Sequence, residues 1–109
     1  MSFEYKMAFV GVLLFAVGIP LVLKLVPPNP VYGVRTAKAF SSLEVWYAAN
    51  RSAGITMAIT GIVIAVVALV GPRLLADYSE GARVLTVGAI LIFAVVVMVV
   101  RILWQVRRM

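Results

Sequence analysis

The sequence predicts an all-α integral membrane protein of three transmembrane helices. Three observations carry that prediction. Of the 109 residues, 64% are hydrophobic and 13% are charged, too apolar a balance to coat a soluble globule with polar surface. Three apolar runs are each bounded by helix-stopping or helix-starting residues. The polar residues are concentrated in one stretch between the first two runs, which predicts a polar re-entrant or interfacial loop there. The whole of 1–109 reads as a single membrane domain.

The first run extends from about Met7 to Val26 and meets Pro27-Pro28, which cannot continue a helix. Without a strongly basic start or a small-x-small cleavage site, it reads as a retained span rather than a signal peptide. The second apolar core, about Ile55 to Val70, ends at Gly71-Pro72 and is short against the roughly 20 residues that cross a bilayer core. However, Ser41-x-x-Glu44 has the pattern of a capping box. The second helix is therefore expected from about 42 to 70, reaching about 40 Å. Residues 27–54 form the polar segment together with the start of that helix. The third apolar run, about Val84 to Trp104, belongs to a helix expected from about 81 to 104.

Three spans put the N-terminus and the 71–83 loop on one side, with Lys6, Arg73 and Arg83. The polar segment and the C-terminus share the other, with Lys24, Arg35, Lys38, Arg51, Arg101, Arg107 and Arg108. The excess of basic residues predicts an external N-terminus, with the polar segment and C-terminus cytoplasmic. The same argument assigns the net charge of +6 to the membrane surface rather than to direct nucleic-acid binding.

Small residues supply packing signals. Gly54, Ala58, Gly61, Ala65 and Ala68 recur at alternating intervals of 4 and 3 on the second helix. Gly11 and Gly18 are seven apart on the first, and Gly81 and Gly88 on the third. Small residues let helices approach closely in lipid. They serve packing within the chain, or also a seam between copies in a homo-oligomer.

The polar segment holds the candidate site. Asn29-Pro30 signals a turn, and Gly33 permits positive φ or close backbone approach. Arg35, followed by Thr36, offers a planar fork for a carboxylate or other anion. Equally, it fits a lipid phosphate or an ion pair with Glu44. Ser41 and Ser42 read as helix caps, with Glu44 as the reciprocal half of the cap or as a counter-ion for Arg35 or Arg51. Trp46 and Tyr47 sit where aromatic belt residues gather, and can otherwise line a pocket. Asn50, at the start of an apolar stretch, needs a partner and is expected to find it on another helix.

The pattern Asn29-x-x-x-Gly33-x-Arg35-Thr36, then Ser42-x-Glu44-x-Trp46, then Asn50-Arg51-x-x-Gly54 resembles the signature of the SdpI family of bacterial membrane immunity proteins. The motif covers about a quarter of the chain. Ala37-Lys38 stands where many members have proline after the Arg-Thr pair, and the best-known type carries extra helices ahead of this module. The resemblance implies a multi-pass protein of the bacterial inner membrane that protects against a membrane-active toxin peptide. It also implies a signalling role for some members, which hold a cytoplasmic repressor at the membrane. The expected partners are thus the lipid bilayer, a toxin peptide, a repressor and further copies of the chain.

Other classes have less support in the residues. A transporter or channel usually carries intramembrane charge. The interiors of the first and third helices hold no ionisable residue before Arg101, although Thr56 and Thr60 could line a pore. The chain has no histidine and no cysteine. With no paired carboxylates either, no catalytic residues, metal ligands or cofactor are expected. An assembly subunit is the remaining alternative.

Overall fold

The computed structural model describes residues 2–109. Three helices, α1 (Phe3–Val22), α2 (Leu43–Leu74) and α3 (Glu80–Arg107), are joined with one 3-10 turn, Ala39–Ser41, ahead of α2. No strand occurs among the described residues. Each helix is long and apolar enough to cross a membrane. Their outer faces explain why: Phe93 is 70% exposed and Ile92 67%, which is stable against lipid but not against water. The chain is a multi-pass membrane protein.

The element ends depart from the sequence reading for local reasons. Helix α1 stops at Val22, well before Pro27-Pro28, because the chain closes a Schellman turn there. Lys24 N donates to Leu21 O at 3.2 Å and Leu25 N to Pro20 O at 3.0 Å, with Lys24 at φ 58°. This satisfies the last carbonyls and turns the chain away. At the other end, α1 starts at Phe3 rather than near Met7.

Helix α2 is capped by Ser42, whose Oγ accepts from Val45 N at 3.1 Å. The capping box expected from Ser41 to Glu44 does not form: with Ser42 as the cap, Val45 and not Glu44 takes the third helical position. Ser41 instead closes the 3-10 turn, its Oγ donating to Lys38 O at 2.5 Å. The helix also passes through Gly71-Pro72 to Leu74, four residues beyond the expected stop. Proline removes only one helical donor, and Leu75 N still closes on Gly71 O at 3.1 Å. Helix α3 starts behind Ser79, whose Oγ accepts from Ala82 N at 3.1 Å, and runs on to Arg107.

Helix α2 is the central element; α1 packs along it extensively and α3 more lightly. The α1–α2 interface is glycine-mediated and antiparallel. A Cβ on Gly11 would lie 2.5 Å from Gly61 O and 2.7 Å from Ala65 N. One on Gly18 would lie 2.7 Å from Gly54 O and 3.2 Å from Ala58 N. The small-residue face of α2 thus lies against α1 of the same chain. Gly81 and Gly88 do not share this role, contrary to expectation. A Cβ on Gly81 meets nothing within 4 Å, and one on Gly88 only the Phe3 ring edge at 3.9 Å. Their seven-residue spacing falls on a face of α3 that meets no neighbouring backbone.

Two apolar cores flank this glycine contact. One gathers Ile64, Val87 and Leu91, with Phe3 and Met7 packed against them. The other gathers Ala39, Trp46, Ala49, Ala53, Ile102 and Val106, with Val26 and Val34 of the polar segment against it. The second core seats the candidate site.

Candidate functional site

The polar segment is fastened to the bundle at several points, and its signature residues make some of those contacts and shape the loop between them. Asn29 organises the turn after the prolines. Its Nδ2 donates to Pro27 O at 2.8 Å and Tyr32 O at 2.9 Å, while Oδ1 accepts from Val31 N at 2.9 Å and Tyr32 N at 2.6 Å. The primary amide is fully used, as a buried or half-buried amide must be to offset its desolvation. The turn presents the Tyr32 hydroxyl to α1, where it donates to Val17 O. Burial pushes the Tyr32 phenol above its ordinary value of 10.0.

Beyond the turn, Gly33 adopts φ 107°, a conformation only glycine takes without strain. The position is constrained twice, since a Cβ there would lie 2.6 Å from Asn50 Oδ1. That close approach lets Asn50, 2% exposed, clasp the neighbouring peptide. Its Oδ1 accepts from Val34 N at 2.6 Å, and its Nδ2 donates to Val34 O at 3.4 Å and Trp46 O at 3.0 Å. Asn50 therefore holds the loop backbone rather than another helix, correcting the interhelical expectation.

Trp46 is not a belt residue either. It is fully buried, and its Nε1 donates to Val26 O at 2.8 Å. Phe40 packs on it with ring centroids 5.1 Å apart. Four residues apart on α2, Trp46 and Asn50 share a face and hold the loop at two points, the Val26 carbonyl and the Val34 peptide. Thr36 completes the set: its Oγ1 accepts from Ala39 N at 3.2 Å and shapes the entry to the 3-10 turn.

The charged residues behave differently. Arg35 is exposed, and its Nη1 donates to Pro30 O. Its partner is thus a loop carbonyl and not Glu44. Glu44 is itself exposed and sits at a shallow cleft of about 340 Å³ with Lys24, Leu43 and Tyr47. Arg51 is exposed on α2, whereas Tyr47 is half-buried against the Trp46 core. Gly33 to Thr36 form a second shallow cleft, about 440 Å³, with Val99, Ile102 and Leu103 of α3.

The arrangement is a rigid loop carrying exposed charge. Asn29, Gly33, Thr36, Ser42, Trp46 and Asn50 hold the backbone. Lys24, Arg35, Lys38 and Arg51 present four cations against the single carboxylate of Glu44. Such a surface can engage a carboxylate or phosphate through the Arg35 fork, whose remaining N–H groups are not spent on the loop.

Sequence reasoning missed a polar contact between α2 and α3. Ser52 Oγ donates to Gln105 Oε1 at 3.0 Å, and Thr56 Oγ1 shares its hydrogen between Ser52 O at 3.2 Å and Gln105 Oε1 at 3.4 Å. Ser52 and Thr56 lie four apart on one face of an apolar helix, the spacing that signals an interhelical hydrogen bond.

No curated protein and no solved structure matches the chain at a significant level. A family-level match is found over residues 25–101, which take in the polar segment, all of α2 and most of α3. With well over half of its length matched, signature loop included, the chain belongs to the SdpI/YfhL protein family.

Proposed function

We propose that this protein is a membrane immunity factor that recognises a membrane-active peptide through the exposed charge of its polar loop. The observation that carries the reading is the family match across residues 25–101, the segment in which the loop is built. The geometry supports it. The Asn29 and Asn50 amides and the Tyr32 hydroxyl are spent within the fold, so recognition falls to the groups left outward, Arg35 first among them. A guanidinium held by one loop carbonyl is pre-positioned for a peptide carboxylate at little further entropic cost.

In this reading the protein lies in the bacterial inner membrane with its N-terminus outside. The loop and the C-terminus face the cytoplasm, on the side carrying seven of the ten basic residues. A loop so placed is also accessible to a cytoplasmic repressor, the partner a signalling role requires.

The test is survival of a sensitive bacterium expressing the chain when challenged with membrane-active toxin peptides, beside Arg35→Ala at matched membrane levels. Protection by the native chain and its loss in the variant are expected. A folded, inserted protein that protects against none of the peptides would contradict the proposal. Protection unchanged by Arg35→Ala would move the recognition site elsewhere.

A further inference from the structure

A groove opens on the membrane-facing side between α2 and α3, with a volume of about 680 Å³. Ile55, Ile59, Val63, Phe93 and Val97 form its apolar body. Apart from Thr60 along its length, its polar residues gather at one end, where Arg101, Gln105, Ser52 and Thr56 line it. We propose that this groove binds one anionic phospholipid, with the phosphate at Arg101 and Gln105 and an acyl chain along the apolar body. The proposal rests on the membrane architecture and is independent of the immunity reading.

The polar end has the hydrogen-bonding character of an anion site. The Ser52 and Thr56 hydroxyls both direct hydrogens to Gln105 Oε1. This commits the amide oxygen and leaves the NH2 group as a donor. Arg101, one turn earlier on α3, adds a guanidinium. No carboxylate lines the groove among the described residues. Of the four acids in the chain, Glu4, Asp77 and Glu80 belong to the opposite end of the bundle, and Glu44 stands two turns before Ser52. The mouth therefore offers donors and positive charge, with nothing to receive a choline or an ammonium group. Basic sites between helices at a membrane face have the chemistry that selects anionic headgroups.

The length of the groove argues against a larger occupant. It extends from Ser52 to Val63 on α2 and from Gln105 to Ile90 on α3, about 17 Å and about 22 Å of helix. One leaflet of hydrocarbon is about 15 Å deep, and a helix crossing the membrane needs a track of about 30 Å. From its cationic end the groove is of the order of one leaflet in length. It therefore fits an acyl chain from one leaflet and is too short for a transmembrane helix of a second copy or of a peptide.

The experiment uses the full chain in mixed micelles with phosphatidylglycerol or phosphatidylcholine, each carrying a photoreactive acyl chain. Adducts are mapped by peptide mass spectrometry, and bound lipid is counted by native mass spectrometry. The expected result is adducts concentrated on Ile55, Ile59, Phe93 and Val97, with phosphatidylglycerol preferred. Arg101→Gln should reduce that preference about fivefold, the scale of one basic residue at a membrane surface, and Arg101→Lys should retain most of it. Helical content measured alongside separates loss of the site from loss of the fold. Adducts spread evenly over the lipid-facing sides of α1 and α3, or equal labelling by both lipids, would overturn the proposal. A chain-to-chain adduct or a co-purifying peptide in the groove would do the same.

Discussion

Asn50→Ala tests whether one side chain decides the position of the polar loop. Asn50 is 2% exposed and accepts from Val34 N at 2.6 Å. Its bonds to Val34 O and Trp46 O, at 3.4 and 3.0 Å, matter less. The first is long, and Trp46 O keeps its helical partner. The main loss is the acceptor for Val34 N–H. A buried amide left unsatisfied costs about 1–3 kcal/mol, and the truncation adds about 1 kcal/mol in lost packing. Undocking of the loop should become easier by about 2–4 kcal/mol, which is about 30- to 1,000-fold in the opening equilibrium. The helices themselves should survive, because their backbone hydrogen bonds are untouched. The assay is hydrogen exchange at Val34 in detergent, together with aqueous quenching of Trp46 fluorescence in a Trp104→Phe background. Exchange within threefold of the parent, with Trp46 still shielded, would show that the clasp does not hold the loop.

Three further predictions follow from the same geometry. Gly33→Ala should loosen the loop by about 1–3 kcal/mol, because φ 107° and a 2.6 Å approach to Asn50 Oδ1 act together; its effect should shrink when Asn50 is already alanine, as a double-mutant cycle would measure. Gly61→Leu should force α1 away from α2, since its Cβ meets Gly11 O and lies 2.7 Å from Phe15 N. A thermal midpoint in detergent falls if so, while Gly81→Ala, with nothing nearby, should be neutral or stabilising by about 0.5–1 kcal/mol. Tyr32 gives a pH dependence. With its folded pKa raised above the unfolded value, its contribution is complete below pH of about 10 and is lost as pH rises through the folded pKa. Loop opening, followed by Trp46 quenching, should therefore rise in alkali, and Tyr32→Phe should remove that step.

Much of the site was legible as composition but not as role. The segment from Asn29 to Gly54 stands out because polar residues in a lipid-soluble chain require a reason, and that reasoning selected Asn29, Gly33, Arg35, Trp46 and Asn50. What it misjudged was direction. Trp46 at a helix start near the interface has the same sequence context whether it faces lipid or protein. The ring is buried when the loop docks against it with Val26, Ala39 and Phe40. Asn50 advertised the need for a partner, but the backbone of Val34 is sixteen residues away and carries no sequence signal. An ion pair with Glu44 was one of the roles open to Arg35, because opposite charges attract. The loop instead turns Arg35 back to the Pro30 carbonyl.

The amino-acid sequence is enough to specify a three-helix membrane protein, because bilayer thickness and backbone desolvation leave an apolar chain of this length few other forms. It also determined which small residues allow close approach on α1 and α2. The tertiary structure decided which of those residues are used, since Gly81 and Gly88 have the same spacing as Gly11 and Gly18 but no opposing backbone. It also decided where the helices end: local closure at Lys24 stops α1 before Pro27-Pro28, while α2 runs through Pro72. Lastly, it separated the residues that build the polar loop from those the loop displays. That distinction depends on which backbone groups lie within hydrogen-bond distance, and these are brought together only when the segment folds back over α2.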